Sequence, residues 1–282
     1  MFELVCSVRN CTSMLHRRGS GLFCDEGHHF DRAKEGYWNL LQPQDKRSLT
    51  PGDSDAAVLA RHRWLQRGHA AGLIEELRPW IEASPSIGVG LDSDDSPRTL
   101  DLGCGEGSFG PALFPGEGEH FCGVDLSKRA IKLAARGWPT ATWVLANADR
   151  ILPAANASVQ RIVSLFGRRP ASEIGRVLAP GGSCLIAVPG ENDLIELRES
   201  VQQAGHRRSR WETVVEELAD VGLNCMEHKL WQTEIELEPD AINDALAMTY
   251  RAGRHSQKAR ADSLSTMKVT LAADLVHLSR NA

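Results

Sequence analysis

The stretch RTLDLGCGEGSFG, residues 98–110, constrains the fold more than any other part of the chain. A short apolar strand runs into a turn whose glycines, Gly103, Gly105 and Gly107, stand at alternate positions. That spacing permits a tight bend and lets backbone N–H groups approach a ligand with no side chain in the way. About twenty residues later a second strand, HFCGVDL, ends in Asp125, where a carboxylate can accept hydrogen bonds from two ribose hydroxyls. ATWVLANADRILP, VQRIVSLF and EIGRVLAPGGSCLIAVP continue the alternation as a third strand, a fourth strand, and then a helix, a Pro-Gly-Gly turn and a fifth strand. Strands alternating with helices predict an α/β fold, a doubly wound parallel sheet with its ligand at the carboxyl ends of the strands.

The glycine spacing narrows the ligand. A dinucleotide site wants G-x-G-x-x-G, whereas this turn reads G-x-G-x-G after an acidic Asp101. DLGCGEG followed by GVDLS resembles the class I methyltransferases, Rossmann-like enzymes whose cofactor is S-adenosylmethionine, a ligand with no pyrophosphate. The resemblance makes Asp101, Gly103, Gly105, Glu106, Gly107, Asp125 and Leu126 candidates for cofactor binding. Asn147 or Asp149, after the third strand, would lie beside the adenine.

A second constellation opens the chain. Cys6-x4-Cys11, twelve intervening residues and Cys24-x3-His28 form two short ligand pairs separated by a loop. Thiolates and imidazole suit zinc, and four protein ligands leave no open position, so the site is structural. His29 competes with His28 as the fourth ligand, and spacing favours His28. Gly19 and Gly21 fall where the chain must turn between the knuckles, and the metal would hold a segment too small to fold alone. The four other cysteines, Cys104, Cys122, Cys184 and Cys225, sit among apolar neighbours like small core residues, which argues against a disulfide framework.

Zinc clip and methyltransferase motif in this order resemble the RlmA family of 23S rRNA (guanine-N1)-methyltransferases. The matching stretches are the four metal ligands, Phe30-Asp31, Ala33 to Tyr37, Asn39 to Leu41, Pro51 to Ser54, Arg61 with Arg63 to Leu65, and the two cofactor motifs. They continue through Leu178 to Gly182 and Pro189-Gly190, whereas the C-terminal hundred or so residues match poorly. The resemblance implies methylation of a guanine N1 in a hairpin of ribosomal RNA, by an enzyme often dimeric, with the zinc module helping to hold RNA. Three stretches depart from the family: Phe166-Gly167-Arg168 after the fourth strand, Asp193 to Leu197 where a histidine usually precedes Leu-x-Glu-Leu, and Thr249-Tyr250-Arg251. The resulting division is a zinc-binding module over 1–45, a helical connector and linker over 46–96, and a methyltransferase domain over 97–282.

Guanine N1 is neutral at pH 7, so transfer to it requires removal of its proton. A carboxylate can accept that proton and a cation can stabilise the anion. Asp193 and Arg168 are the candidates, since they follow the ends of the fifth and fourth strands; a helix N-cap is the competing role for Asp193. Tyr37 and Trp38, flanked by Arg32, Lys34, Lys46 and Arg47, suit either stacking on a splayed base or a hydrophobic seam. In DAAVLARHRWLQRGHAAGLIEELRPWIEA the helical spacing predicts Leu59, Trp64, Leu65, Leu73 and Leu77 in the core, with arginines on the other face.

A net charge of -5 over 282 residues argues against a protein that coats nucleic acid nonspecifically, but basic residues cluster locally, at 16–18, at 168–169 and at 206–210. No run approaches the eighteen or so apolar residues of a membrane span, and the N-terminus lacks the order of a signal peptide, so the chain reads as cytoplasmic. Competing functions are a small-molecule methyltransferase and a non-catalytic module that binds RNA or the ribosome.

Overall fold

The computed structural model describes residues 2–45, 51–83, 96–202, 210–249 and 265–281. Most of the proposed linker, together with Lys46, Arg47, His206, Arg207, Arg208, Tyr250 and Arg251, lies outside them. Five parallel strands form the centre of an eight-stranded sheet: β5 (Thr99–Leu102), β6 (Phe121–Asp125), β7 (Thr142–Leu145), β8 (Val159–Leu165) and β9 (Leu178–Pro189). A long antiparallel hairpin, β10 (Leu223–Leu237) and β11 (Met267–Arg280), completes one side, with β11 next to β9. The sheet order is β10-β11-β9-β8-β5-β6-β7-β4, where β4 (Trp38–Asn39) belongs to the N-terminal module. The chain winds outward in both directions from β5, so the crevice of a doubly wound sheet opens at the carboxyl end of that strand.

Every residue of β5 and β7 is buried, as expected of strands covered on both faces. One face carries α4 (Lys128–Gly137), capped where Ser127 Oγ accepts from the Ala130 N–H at 3.4 Å, with Ala130, Ile131, Ala134 and Ala135 turned inward. Further helices are α3 (Phe109–Leu113), α5 (Ala171–Val177), α6 (Ile195–Gln202), α7 (Trp211–Ala219) and α8 (Pro239–Thr249). Among the described residues no helix is long and apolar enough to cross a membrane.

The connector forms two helices, α1 (Asp55–Gln66) and α2 (Ala71–Ala83), separated at Gly68, whose φ of +79° interrupts the helical path. Trp64, Leu73 and Leu77 are buried, while Leu59 and Leu65 are half-buried. The arginines do not simply face solvent: Arg63 and Arg67 both pair with the buried Asp244 of α8, the Arg63 Nη2 at 2.5 Å. Burial raises the Asp244 carboxyl, but the hydrogen bonds from both guanidiniums outweigh it and hold the group below its ordinary value.

The N-terminal module has three short antiparallel strands, β1 (His16–Arg18), β2 (Gly21–Phe23) and β3 (His29–Asp31). Gly19 makes its turn at φ +61°, whereas Gly21 opens β2. Phe2, Leu4, Leu22, Phe30, Trp38 and Leu40 pack in the same core as Leu100, Val124 and Val144 of the sheet. Tyr37 and Trp38 are buried, and Trp38 sits in the strand that pairs with β7, so these rings form a seam and not a stacking platform. Cys104, Cys122 and Cys184 are core residues; Cys225, on β10, is exposed, contrary to its apolar sequence context.

Candidate functional site

At the N-terminal module the ligand atoms of Cys6, Cys11, Cys24 and His28 all lie within 4.8 Å of one another. Nδ1 of His28 is 3.5 Å from Cys6 Sγ and 3.4 Å from Cys24 Sγ, and Cys11 Sγ is 3.9 Å from Cys24 Sγ. A tetrahedron with zinc–sulfur bonds of about 2.3 Å has edges of about 3.8 Å, so the cluster fits one zinc. His29 is turned away in β3, stacked on Phe23 with ring centroids 5.8 Å apart.

The glycine turn is built by close backbone approach. At Gly103, φ is +71°, and a Cβ there would fall 2.9 Å from the Cα of Gly167. Gly167 is as tightly placed, for its Cβ would come within 2.0 Å of the Leu102 carbonyl oxygen. The end of β8 thus lies directly against the end of β5. Asp125 Oδ2 accepts from the Gly105 N–H at 2.9 Å and its Oδ1 from the Ser127 N–H at 2.7 Å, so the carboxylate points at the turn. Burial pushes this carboxyl up and the two N–H donors pull it back. Leu126 is half-buried, its carbonyl carbon 3.0 Å from where a Cβ on Gly52 would be.

Asp101 is buried at the end of β5, and burial, with the charges of Asp125 and Glu106, pushes its carboxyl up to about 8. Glu106 is also buried, and its Oε1 has no hydrogen-bond partner. Asp101 is therefore protonated at neutral pH while the site is empty, and a bound cation would favour ionised carboxylates at this turn. Ammonium and sulfonium supply that charge, and ribose hydroxyls suit Asp125, so the donor set fits S-adenosylmethionine. Asn147 accepts from the Asp149 N–H at 3.1 Å and donates to the Asp45 carbonyl at 3.1 Å, tying the N-terminal module to the loop after β7. Asp149, exposed, is held by Arg168 through contacts of 2.6 and 3.0 Å.

A cavity of about 620 Å³ joins this turn to the opposite wall. Asp101, Gly103, Gly105 and Glu106 line one end; Asp193, Phe166 and Pro189 come from the strand ends beyond. Phe166 and Leu194, both lining it, hold φ of +60° and +51°, conformations that cost non-glycine residues free energy and concentrate at functional sites. Asp193 is no helix cap: its Oδ1 accepts from the Ala272 N–H of β11 at 3.0 Å, and burial pushes its carboxyl up to about 6. The structure does not bring Asp193 and Arg168 together, since Arg168 is turned to Asp149 and is absent from the cavity wall. Sequence reasoning missed Arg61, Trp64, His69 and Trp231 as cavity residues. Periodicity marks a helix face as apolar or polar but does not say which polar face meets a cavity.

Fold, glycine cradle and acidic strand ends define a class I S-adenosylmethionine-dependent methyltransferase. Residues 5–49 match the family model described as RlmA, N-terminal, a zinc ribbon, and residues 99–182 match a methyltransferase domain. The 23S rRNA (guanine(748)-N(1))-methyltransferase of Streptomyces fradiae is 30% identical over 240 residues, 85% of this chain and 82% of its own. A Micromonospora griseorubida protein provisionally named as a 23S rRNA (guanine-N(1)-)-methyltransferase is 32% identical over 69% of this chain and 68% of its own. The chain therefore belongs to the RlmA family of 23S rRNA (guanine-N1)-methyltransferases. Among solved structures, the YcgJ protein of Bacillus subtilis superposes with a TM-score of 0.50 at 15% identity, over 76% of this chain and 99% of its own, a likeness of fold.

Proposed function

We propose that this protein transfers a methyl group from S-adenosylmethionine to N1 of a guanine in a 23S rRNA hairpin, in the cytoplasm. The reading is carried by one observation: Asp193, a carboxylate with a raised proton affinity, shares a cavity with the glycine turn. Bound S-adenosylmethionine supplies an electrophilic methyl carbon. The protein's own contribution is alignment and proton acceptance. Asp101 and Glu106 would face the cofactor's ammonium, the Asp125 carboxylate its ribose, and Asn147 with Asp149 its adenine. Asp193 Oδ2, which has no hydrogen-bond partner among the described residues, would accept the N1 proton as the N1–carbon bond forms and the carbon–sulfur bond breaks. A base near 6 is ionised at neutral pH yet retains useful proton affinity. Trp64, Phe166 and Trp231 line the same cavity and would exclude water from the base. We place the functional boundaries at 1–45 for zinc, 46–96 for the connector and 97–282 for transfer.

The test is incubation with labelled S-adenosylmethionine and 23S rRNA, followed by mapping of the modified nucleotide. One N1-methylated guanine is expected. Cofactor binding without methyl incorporation into RNA overturns the reading.

A further inference from the structure

The carboxylates at the glycine turn explain how the site attracts positive charge, but the amino-acid end of S-adenosylmethionine is zwitterionic. Its carboxylate sits one carbon from its ammonium, so a wall that is acidic throughout would repel as much as it attracts. The cavity contains an answer to this on α1. A Cβ built at Gly105 would meet a single atom within 4 Å among the described residues, the Nη1 of Arg61 at 3.6 Å. Arg61 lines the cavity, and its guanidinium is close enough to Asp125 to lower that carboxyl's proton affinity.

Its placement is fixed from both ends. The Nη2 of Arg61 is held by Asp53 Oδ2 at 2.7 Å, which leaves Nη1 without a partner among the described residues. The segment carrying Asp53 is pressed against the loop after β6: a Cβ on Gly52 would fall 2.7 Å from the Ser127 N, and Ser127 Oγ donates to the Asp53 carbonyl at 3.4 Å. Ser54 Oγ then caps α1 by accepting from the Ala57 N–H at 3.2 Å. Arg63, about two and a half turns beyond this cap, and Arg67 at the far end bind α1 to Asp244. Arg61 and Asp53 are each about a third exposed, and an ion pair that open contributes little stability. The pair instead holds one edge of a planar, two-edged donor and presents the other.

We propose that Arg61 binds the α-carboxylate of S-adenosylmethionine, with Asp53 as the residue that positions its guanidinium over Gly105. This rests on the cavity being the cofactor site. The opposite charges of the amino-acid end are then met side by side, the ammonium by Asp101 and Glu106 and the carboxylate by Arg61.

Calorimetric titration of the full chain, zinc-loaded, with S-adenosylmethionine and with decarboxylated S-adenosylmethionine tests it; the second ligand keeps the amine and the sulfonium and lacks only the carboxylate. Arg61→Ala should weaken S-adenosylmethionine roughly tenfold to a hundredfold, as for loss of a hydrogen bond between charged groups, and leave the decarboxylated ligand unchanged. Asp53→Asn should show the same selectivity with a smaller loss. Equal losses for the two ligands, as a merely structural role would give, or no loss for either, overturn the proposal while the methyltransferase reading stands. Wild-type protein that binds neither ligand overturns both. Arg61→Gln, similar in length and uncharged, carries the same comparison should the alanine variant not fold.

Discussion

Two carboxyl groups in one cavity are held at different proton affinities, and each gives a pH signature of its own. In the proposed reaction Asp193, pushed up to about 6 by burial, is the base and must be ionised to accept the N1 proton, so kcat/KM should rise with pH through about 6 and level off above it. Asp193→Asn should remove that limb and lower kcat by roughly 10²–10⁴-fold, with cofactor affinity unchanged in a binding titration. Asp101 behaves in the opposite sense. Its carboxyl is raised from 3.8 to about 8, so the folded, cofactor-free chain keeps it protonated at pH 7 where the unfolded chain does not. The stability it contributes is therefore complete below about 3.8, declines by up to about 1.4 kcal/mol per pH unit as pH rises, and is gone above about 8. Asp101→Asn removes this dependence. Melting curves of cofactor-free protein should show the variant gaining on wild type between pH 5 and pH 8, while it binds S-adenosylmethionine more weakly.

The elements that close the cavity are α1, α8 and the β10–β11 hairpin, and their assembly depends on contacts far apart along the chain. Asp244 lies 181 residues beyond Arg63, yet its carboxylate takes both Arg63 and Arg67. Asp244→Ala should release α1 at its C-terminal end, at a cost of roughly 1–3 kcal/mol, because the two arginines can turn to water while the packing of α8 is weakened. The expected readouts are a lowered melting temperature and a raised KM for the cofactor, the second through Arg61. This is also where sequence reading reached its limit. Residues 98–110 and Asp125 were legible because their spacing is local: glycine spacing and strand length are set by neighbours within a turn or two. The clustering of Cys6, Cys11, Cys24 and His28 was legible for the same reason. For Arg61, Arg63 and Arg67 neither helical periodicity nor the family resemblance names a partner, and their partners come from a loop on one side and a helix near the other end of the chain. Asp193 was placed correctly at a strand end, but whether it caps α6 or lines the cavity depended on β11, which meets it only in the folded sheet.

For the whole molecule the question is whether the zinc module is an appendage or a part of the fold. Its strand β4 extends the main sheet beside β7, and Phe2, Leu4, Leu22, Phe30 and Leu40 share a core with Leu100, Val124 and Val144. At its exit the buried Asp45 pairs with Arg150 at 3.0 Å, and its carbonyl holds Asn147 at the proposed adenine side. Structural zinc contributes on the order of 10 kcal/mol to small zinc-stabilised peptides. A comparable loss here would not stay local, because Cys24 and His28 flank β2 and β3, whose Leu22 and Phe30 pack in the core that the sheet shares. Chelation, or Cys24→Ser, should therefore lower the main calorimetric transition of the chain and weaken S-adenosylmethionine binding. Zinc titrated back into the chelated wild type should restore both together. An appendage would behave differently, losing a small separate transition while the main melt and the cofactor affinity stayed where they were. That pattern would refute the shared core.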